Sequence, residues 1–296
     1  MRKLAVVVTC SDRKSAPVAE HLRIRSLGPG DVGRRVSAWT LRLDREVSQV
    51  PLHRLYRGEH WRQTKSLMAA AEAVGFSPEL WIASAGLGLQ HAEHRAPAYG
   101  ATFASRHPDS VGTTTHTSSQ WWTELNEARG ARSLEGLAKE ASVLMVLSET
   151  YSRAMRKDLR AVADASTDAV LIGGAEDIDG LLRVPSDRSL RHELRGTLAS
   201  LNIRMATEWL RMLPGTAVSS PAAKERWGRW VPLVARAVPP PGATMTDHEV
   251  RQFIRDSLLL QPRASRGRLL RYLRDSGRAC EYSRFGRLYA AVTGVT

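Results

Sequence analysis

Residues 4–9 read Leu-Ala-Val-Val-Val-Thr, an apolar and largely β-branched run without polar alternation, followed at once by Cys10-Ser11-Asp12-Arg13-Lys14. A strand that shows neither face to water needs helices on both sides, so this run narrows the fold more than any other feature. It is far shorter than the ~18 apolar residues of a membrane span and too short for a signal-peptide core. Similar short runs recur at residues 80–84, 143–148 and 169–172, and helical patterns at 61–74, 133–141 and 151–163 lie between them. Strand and helix alternate, so the expected fold class is α/β, a mostly parallel sheet flanked by helices. Ligands in such sheets bind beyond the carboxyl ends of the strands, which directs attention to the loops at 10–14, 84–88, 148–151 and 173–177.

From Arg191 the pattern changes. Leu194, Leu198, Leu201, Met205, Trp209 and Leu213 recur at spacings of three and four and predict one long amphipathic helix, with Arg191, Arg195, Arg204 and Arg211 on its other face. Residues 214–242 are proline-rich and end in Pro239-Pro240-Pro241-Gly242, which reads as a connection. The expected organisation is an α/β catalytic domain over 1–213, a Pro-rich connection over 214–246 and a basic helical subdomain over 247–296. In that subdomain Val250, Phe253, Ile254 and Leu258 form one apolar stripe, Leu269, Leu270 and Leu273 a second, and Tyr282, Phe285, Leu288 and Tyr289 a third. Gly277 marks the end of the middle helix, and the short connection over 277–280 resembles the turn between two DNA-binding helices.

The formal net charge is +13 over 296 residues. Such a surplus attracts polyanions, nucleic acid first and an acidic membrane surface second. It is localised, because residues 221–296 hold 14 Lys and Arg against 6 Asp and Glu. Arg263, Arg266, Arg268, Arg271, Arg274, Arg284 and Arg287 are the candidate nucleic-acid contacts; a solvated helix face is the competing reading. The two cysteines, Cys10 and Cys280, are too few for a disulfide framework or a four-cysteine zinc site and suit a reducing cytoplasm.

Loop 10–14 places a thiol, a hydroxyl, a carboxylate, a guanidinium and an amine side by side, and a thiol beside cations is a candidate nucleophile; a buried inert cysteine is the alternative. The run Trp81-Ile82-Ala83-Ser84-Ala85-Gly86-Leu87-Gly88 is a strand entering a glycine-punctuated loop, whose backbone N–H groups are candidates to hold an anion or a base edge. It lacks the Gly-Lys-Ser/Thr ending of a phosphate loop and is no dinucleotide fingerprint. His91, Glu93 and His94 do not make an HExxH pattern and have no evident third partner, so no metal and no organic cofactor are expected.

These motifs carry a resemblance. Ser84-Ala85-Gly86-Leu87-Gly88-Leu89, then Pro97-Ala98-Tyr99 and Thr102-Phe103, is similar to the Ser-(Gly/Ala)-x-(Tyr/Leu)-Gly-Leu … Pro-Tyr signature of the YaaA-like superfamily. Leu147-Ser148-Glu149-Thr150-Tyr151 resembles that superfamily's Ala-Ser-x-Glu-Tyr motif, with Thr150 interposed. Cys10-Ser11-x-x-Lys14 is similar to the Cys-Ser-x-x-Lys loop of the archaeosine synthase core domain, although Ser15-Ala16-Pro17 replaces its usual continuation. Within this group, over roughly residues 1–180, the chain looks most like the DpdC family of the bacterial 7-deazaguanine DNA-modification system.

That resemblance implies hydration of the nitrile of 7-cyano-7-deazaguanine, within DNA, to 7-amido-7-deazaguanine, with DNA and other proteins of the modification system as partners and no membrane. The base must then leave the stack, at a cost of a few kcal/mol, to reach the strand ends. Ser11, Ser84, Gly86, Gly88, Tyr99, Thr102, Ser148 and Tyr151 are the candidate substrate-binding residues, and Phe103 is either a stacking partner or core. Two routes stay open. Glu149 or Asp12 activates water while Lys14 or Tyr151 donates a proton, or Cys10 attacks first and forms a thioimidate. Two other classes fit as well: a base or nucleotide glycosidase or transferase on the same fold, and a non-catalytic YaaA-like DNA-binding stress protein.

Overall fold

The first apolar run becomes the centre of a sheet. In this computed structural model, which describes residues 1–237 and 242–294, two units are distinct, Met1–Arg236 and Ala237–Thr296. The first contains, in order, β1 (Arg2–Thr9), α1 (Val32–Asp44), β2 (Val50–Pro51), α2 (Leu52–Leu55), α3 (Glu59–Ala73), β3 (Phe76–Ser84), β4 (Gly88–His91), β5 (Arg95–Ala96), α4 (Thr115–Ala128), α5 (Leu134–Glu140), β6 (Ser142–Leu147), α6 (Glu149–Ala154), α7 (Arg156–Ala165), β7 (Ala169–Gly173), β8 (Leu182–Val184), α8 (Arg191–Leu194), α9 (Leu201–Arg211) and α10 (Pro221–Val234). Six of the strands form the main sheet in the order β4-β3-β1-β6-β7-β8, and β2 pairs with β5 apart from it. All main-sheet pairings are parallel except β3 with β4, so the α/β fold with a mostly parallel sheet and flanking helices is as expected.

Register and burial explain why these runs became strands. Val8 lies opposite Ile82 on one side and Val146 on the other, and Leu4 to Val8, Val143 to Leu147 and Ala169 to Gly173 are buried throughout. With no wet face there is no reason for polar alternation. The chain leaves β1 toward β3 on one side of the sheet and later returns to β6 on the other. The loops after β1 and β6 therefore part in opposite directions and leave a crevice between them, the usual ligand position in open α/β sheets.

Three expectations about organisation change. The helix read over 191–213 is two helices, α8 and α9, because Arg195 and Gly196 take positive φ (59° and 79°) and end the first. The Leu194 carbonyl freed there accepts from Arg204 Nη1 at 3.1 Å, and Leu198 is exposed rather than part of an apolar stripe. Residues 221–234, read as connection, form α10: Ser220 caps it, Pro221 sits in its first turn where a missing N–H costs nothing, and its Trp227 packs on Trp209 of α9. The helix read over 151–163 is split at Met155 into α6 and α7.

The second unit contains β9 (Ala243–Thr244), α11 (Asp247–Leu260), α12 (Arg266–Asp275), β10 (Arg278–Ala279) and α13 (Tyr282–Thr293). Val250, Ile254, Leu269, Leu270, Leu273, Phe285 and Leu288 close its own core around Cys280. The segment after Gly277 is not a plain inter-helix turn, since β10 pairs in parallel with β9. Tyr282, read as part of an apolar stripe, is 53% exposed and lies beneath the Arg266 guanidinium. Of the Pro-rich turn, Pro239, Pro240 and Pro241 lie outside the described residues.

Candidate active site

Cys10 is held as an extension of β1: its N–H donates to the Ala83 carbonyl at 3.0 Å, one residue past the last strand pair. Its Sγ lies 3.2 Å from the Tyr151 hydroxyl. Tyr151 reaches it from the first turn of α6, which Ser148 caps directly after β6. The Tyr151 oxygen also accepts from the Ala85 N–H at 3.2 Å. With that acceptor position filled, the phenolic proton is free to point at the sulfur. Burial holds the Tyr151 hydroxyl well above its ordinary pKa, so it remains a donor, and Phe103 packs edge-on against its ring at 4.9 Å.

A second chain of hydroxyls runs beside the first. Ser84 Oγ accepts from the Gly86 N–H at 3.1 Å and bonds the Tyr99 hydroxyl, which in turn lies 2.6 Å from that of Tyr56. Both phenols are fully buried, and burial raises both well above the ordinary tyrosine value. Lys14 Nζ sits over their rings, 4.8 Å from the centroid of Tyr99 and 5.2 Å from that of Tyr56. It donates to the carbonyls of Ser11 at 2.6 Å and Asp12 at 3.1 Å. Burial pushes the Lys14 ammonium below its usual value, against the opposing pull of Cys10 and Asp12. A thiol, a partly desolvated amine and an aligned phenol thus come together beyond the carboxyl ends of β1, β3 and β6, an arrangement suited to nucleophilic attack with proton transfer to the nascent product.

The glycine loop does not offer an open anion cradle. Its N–H groups are spent internally: Ala85 on Tyr151, Gly86 on Ser84 Oγ, Leu87 on the Ser84 carbonyl and Leu89 on Asn126 Oδ1. Trp39 and Trp121 hold the carbonyls of Gly86 and Ala85, each at 2.7 Å. The glycines are there for space. A Cβ on Gly86 would stand 2.5 Å from the Tyr99 ring, and Gly88 takes φ +75° against Asn126.

Of the other candidates, Ser11 lies at the crevice, its hydroxyl donating to the Arg57 carbonyl at 2.8 Å. Asp12 is exposed, and only its carbonyl is tied to Lys14. Glu149 faces away, 62% exposed and 3.3 Å from Arg153, because the first helical position points outward while the third, Tyr151, points in. Ser148 serves as the α6 cap, and Thr102 Oγ1 accepts from the Ala104 N–H in its own loop. Glu93 pairs with His53, while His94 lies beside Arg129.

The seven candidate arginines of the second unit divide by partner. Arg284 is tied to Asp247 at 2.6 Å and to the Met245 carbonyl, so it joins α13 to the start of α11. Arg274 donates to the Cys280 carbonyl at 3.3 Å. Arg266 and Arg268 lie on the hydroxyls of Tyr282 and Tyr272, both at 2.7 Å. Arg263, Arg271 and Arg287 are exposed and have no partner among the described residues.

Tyr56 and His60 are site residues that the sequence reading missed. Tyr56 comes from the irregular stretch before α3 and meets Lys14 as an isolated antiparallel bridge, a contact between segments with no shared motif. His60 presents both ring nitrogens to carbonyls, Thr9 at 3.1 Å and Ala199 at 3.2 Å, and so fixes the end of β1 immediately before Cys10. No protein-family profile, curated protein or solved structure matched the chain.

Proposed function

We propose that the crevice hydrates the nitrile of 7-cyano-7-deazaguanine in DNA to the carboxamide by way of a covalent thioimidate on Cys10. The observation that carries this reading is the Tyr151 hydroxyl, 3.2 Å from Sγ with its acceptor position taken by Ala85 N–H. A nitrile carbon is an electrophile that a thiolate attacks without a metal. In the first step the C–S bond forms, one C–N π bond breaks, and the thiol proton passes to the nitrogen by way of Lys14 or Tyr151, which gives up one proton and takes up the other. Water then adds to the thioimidate carbon, giving a centre that carries hydroxyl, amine and sulfur. Collapse breaks the C–S bond, returns the thiol and leaves the amide, so the sum is the addition of one water. No proton transfer is assigned to Glu149, whose carboxylate faces Arg153.

DNA as the carrier of the base is supported by the arginine-rich second unit, and extrusion of one base is the ordinary means of bringing it to a crevice of this kind. The test is a trapping experiment. The full-length protein is mixed with cyano-modified DNA, quenched in acid within the first turnover and digested. A Cys10 peptide heavier by the modified nucleotide supports the thioimidate; amide formation without any such adduct overturns the covalent route.

A further inference from the structure

Two exposed arginines flank the residues of this site in the chain and have no task in the reaction above. Arg13 lies between Asp12 and Lys14, and Arg57 follows Tyr56. Their backbones are locked together: Arg57 N–H donates to the Arg13 carbonyl at 2.9 Å, and Ser11 Oγ donates to the Arg57 carbonyl at 2.8 Å. Gly58, at φ +98°, leaves room for the Arg13 stem, whose Cδ would lie 3.5 Å from a Cβ there. Both side chains are exposed and neither has a carboxylate within ion-pair distance among the described residues. Among the described residues the Arg57 guanidinium donates only to the carbonyl of Tyr56, at 3.3 Å.

Some arginines of the same unit are tied down by acids, as Arg23 by Asp109, Arg129 by Asp44, Arg156 by Glu176 and Arg204 by Glu59. Asp12 is the one acid in loop 10–14, set against Arg13, Lys14 and Arg57, so these loops keep a positive excess. A lone exposed arginine is ordinary surface. Two whose backbones are hydrogen-bonded to each other, in the same loops as a half-buried thiol and amine, can offer two guanidinium forks to one oxyanion with several acceptors.

We infer that Arg13 and Arg57 form a phosphodiester-binding pair that grips the DNA backbone next to the base presented to Cys10. The inference rests on the reading of the crevice as a site for a base in DNA. An extruded base stays tethered to its own two phosphates, so a base at Cys10 brings phosphodiester charge to the mouth of the crevice whatever the surrounding sequence.

The test reads occupancy and not turnover. In the full-length protein, the rate of Cys10 alkylation by iodoacetamide is followed by mass spectrometry of the Cys10 peptide while an unmodified single-stranded oligodeoxynucleotide is titrated in. The wild type should be shielded, and Arg13→Ala/Arg57→Ala should need about 10-fold more DNA, or above, for the same shielding. Arg13→Lys/Arg57→Lys, which keeps charge but loses the planar fork, should fall between them. Equal shielding of wild type and the alanine pair overturns the inference and leaves the crevice reading standing. Absence of shielding in the wild type removes the crevice reading and the inference with it. The alkylation rate without DNA checks that the site is intact; if the alanine pair changes it, the lysine pair and Arg57→Ala alone decide by the same criterion.

Discussion

At the scale of single residues, the decisive side chains are those that can move a proton near Cys10. Tyr151→Phe removes the hydroxyl beside the sulfur while leaving the ring against Phe103, so it should lower amide formation by ~10²–10³-fold, with DNA affinity unchanged. Glu149→Gln touches an exposed helix position and should change turnover by less than about 2-fold. The two variants form a contrast within a single turn of α6, and parallel single-turnover measurements check it. A large loss at Glu149 with none at Tyr151 would reverse the assignment. Cys280 is no alternative nucleophile: it is packed in the core of the second unit, and burial raises its pKa.

At the scale of elements, the start of α3 holds the mouth in place. Glu59 Oε1 accepts from Arg204 Nη2 at 2.8 Å, Ser200 Oγ at 3.0 Å and Thr197 N–H at 3.3 Å. The Arg204 hydrogen bond, ahead of those from Ser200 and Thr197, lowers its pKa from 4.5 to about 2, so Glu59→Gln should cost roughly 2–3 kcal/mol at neutral pH. Because the folded value lies below the unfolded one, this stabilisation is present above pH 4.5 and is lost as pH falls toward 2. Urea melts of the two proteins should therefore converge in acid; a gap that stays constant with pH would mean that the carboxylate charge is not its source.

The same region shows what could be read from the sequence and what could not. Strands are legible as apolar runs, and Cys10, Lys14, Ser84 and Tyr151 stand out because parallel sheets bind ligands beyond their strand ends; the structure brings these four side chains near one another. Tyr56 and His60 reach the site from an irregular stretch and a helix start, where no periodicity marks an inward side chain. Glu149 carried the motif but not the direction, since which position of a first turn faces the crevice is set by how α6 leaves β6. The closed state of the glycine loop depends on Trp39 and Trp121, tertiary contacts invisible in a local pattern. The break before α9 has a local signal in Gly196 that the expectation of one helix over 191–213 did not use.

For the molecule as a whole, two separate cores imply that residues 1–236 keep their structure without the second unit. That truncation should retain the far-ultraviolet spectrum and the Cys10 alkylation rate of the full chain while losing most DNA affinity. Arg263, Arg266, Arg268, Arg271 and Arg287 lack carboxylate partners among the described residues. If all five meet duplex phosphates, their share of the slope of log affinity against log salt is about −4.5, and the truncated protein should be shallower by up to that amount. An unchanged slope would place DNA binding outside the second unit.

The most direct measurement of the central claim is nucleoside mass spectrometry of DNA carrying 7-cyano-7-deazaguanine after incubation with the wild type and with Cys10→Ala. The wild type is expected to convert the cyano nucleoside to one heavier by a single water, and the variant, with its fold and DNA binding intact, to leave it unchanged. Full conversion by Cys10→Ala, or release of the free base in place of hydration by the wild type, would contradict the account.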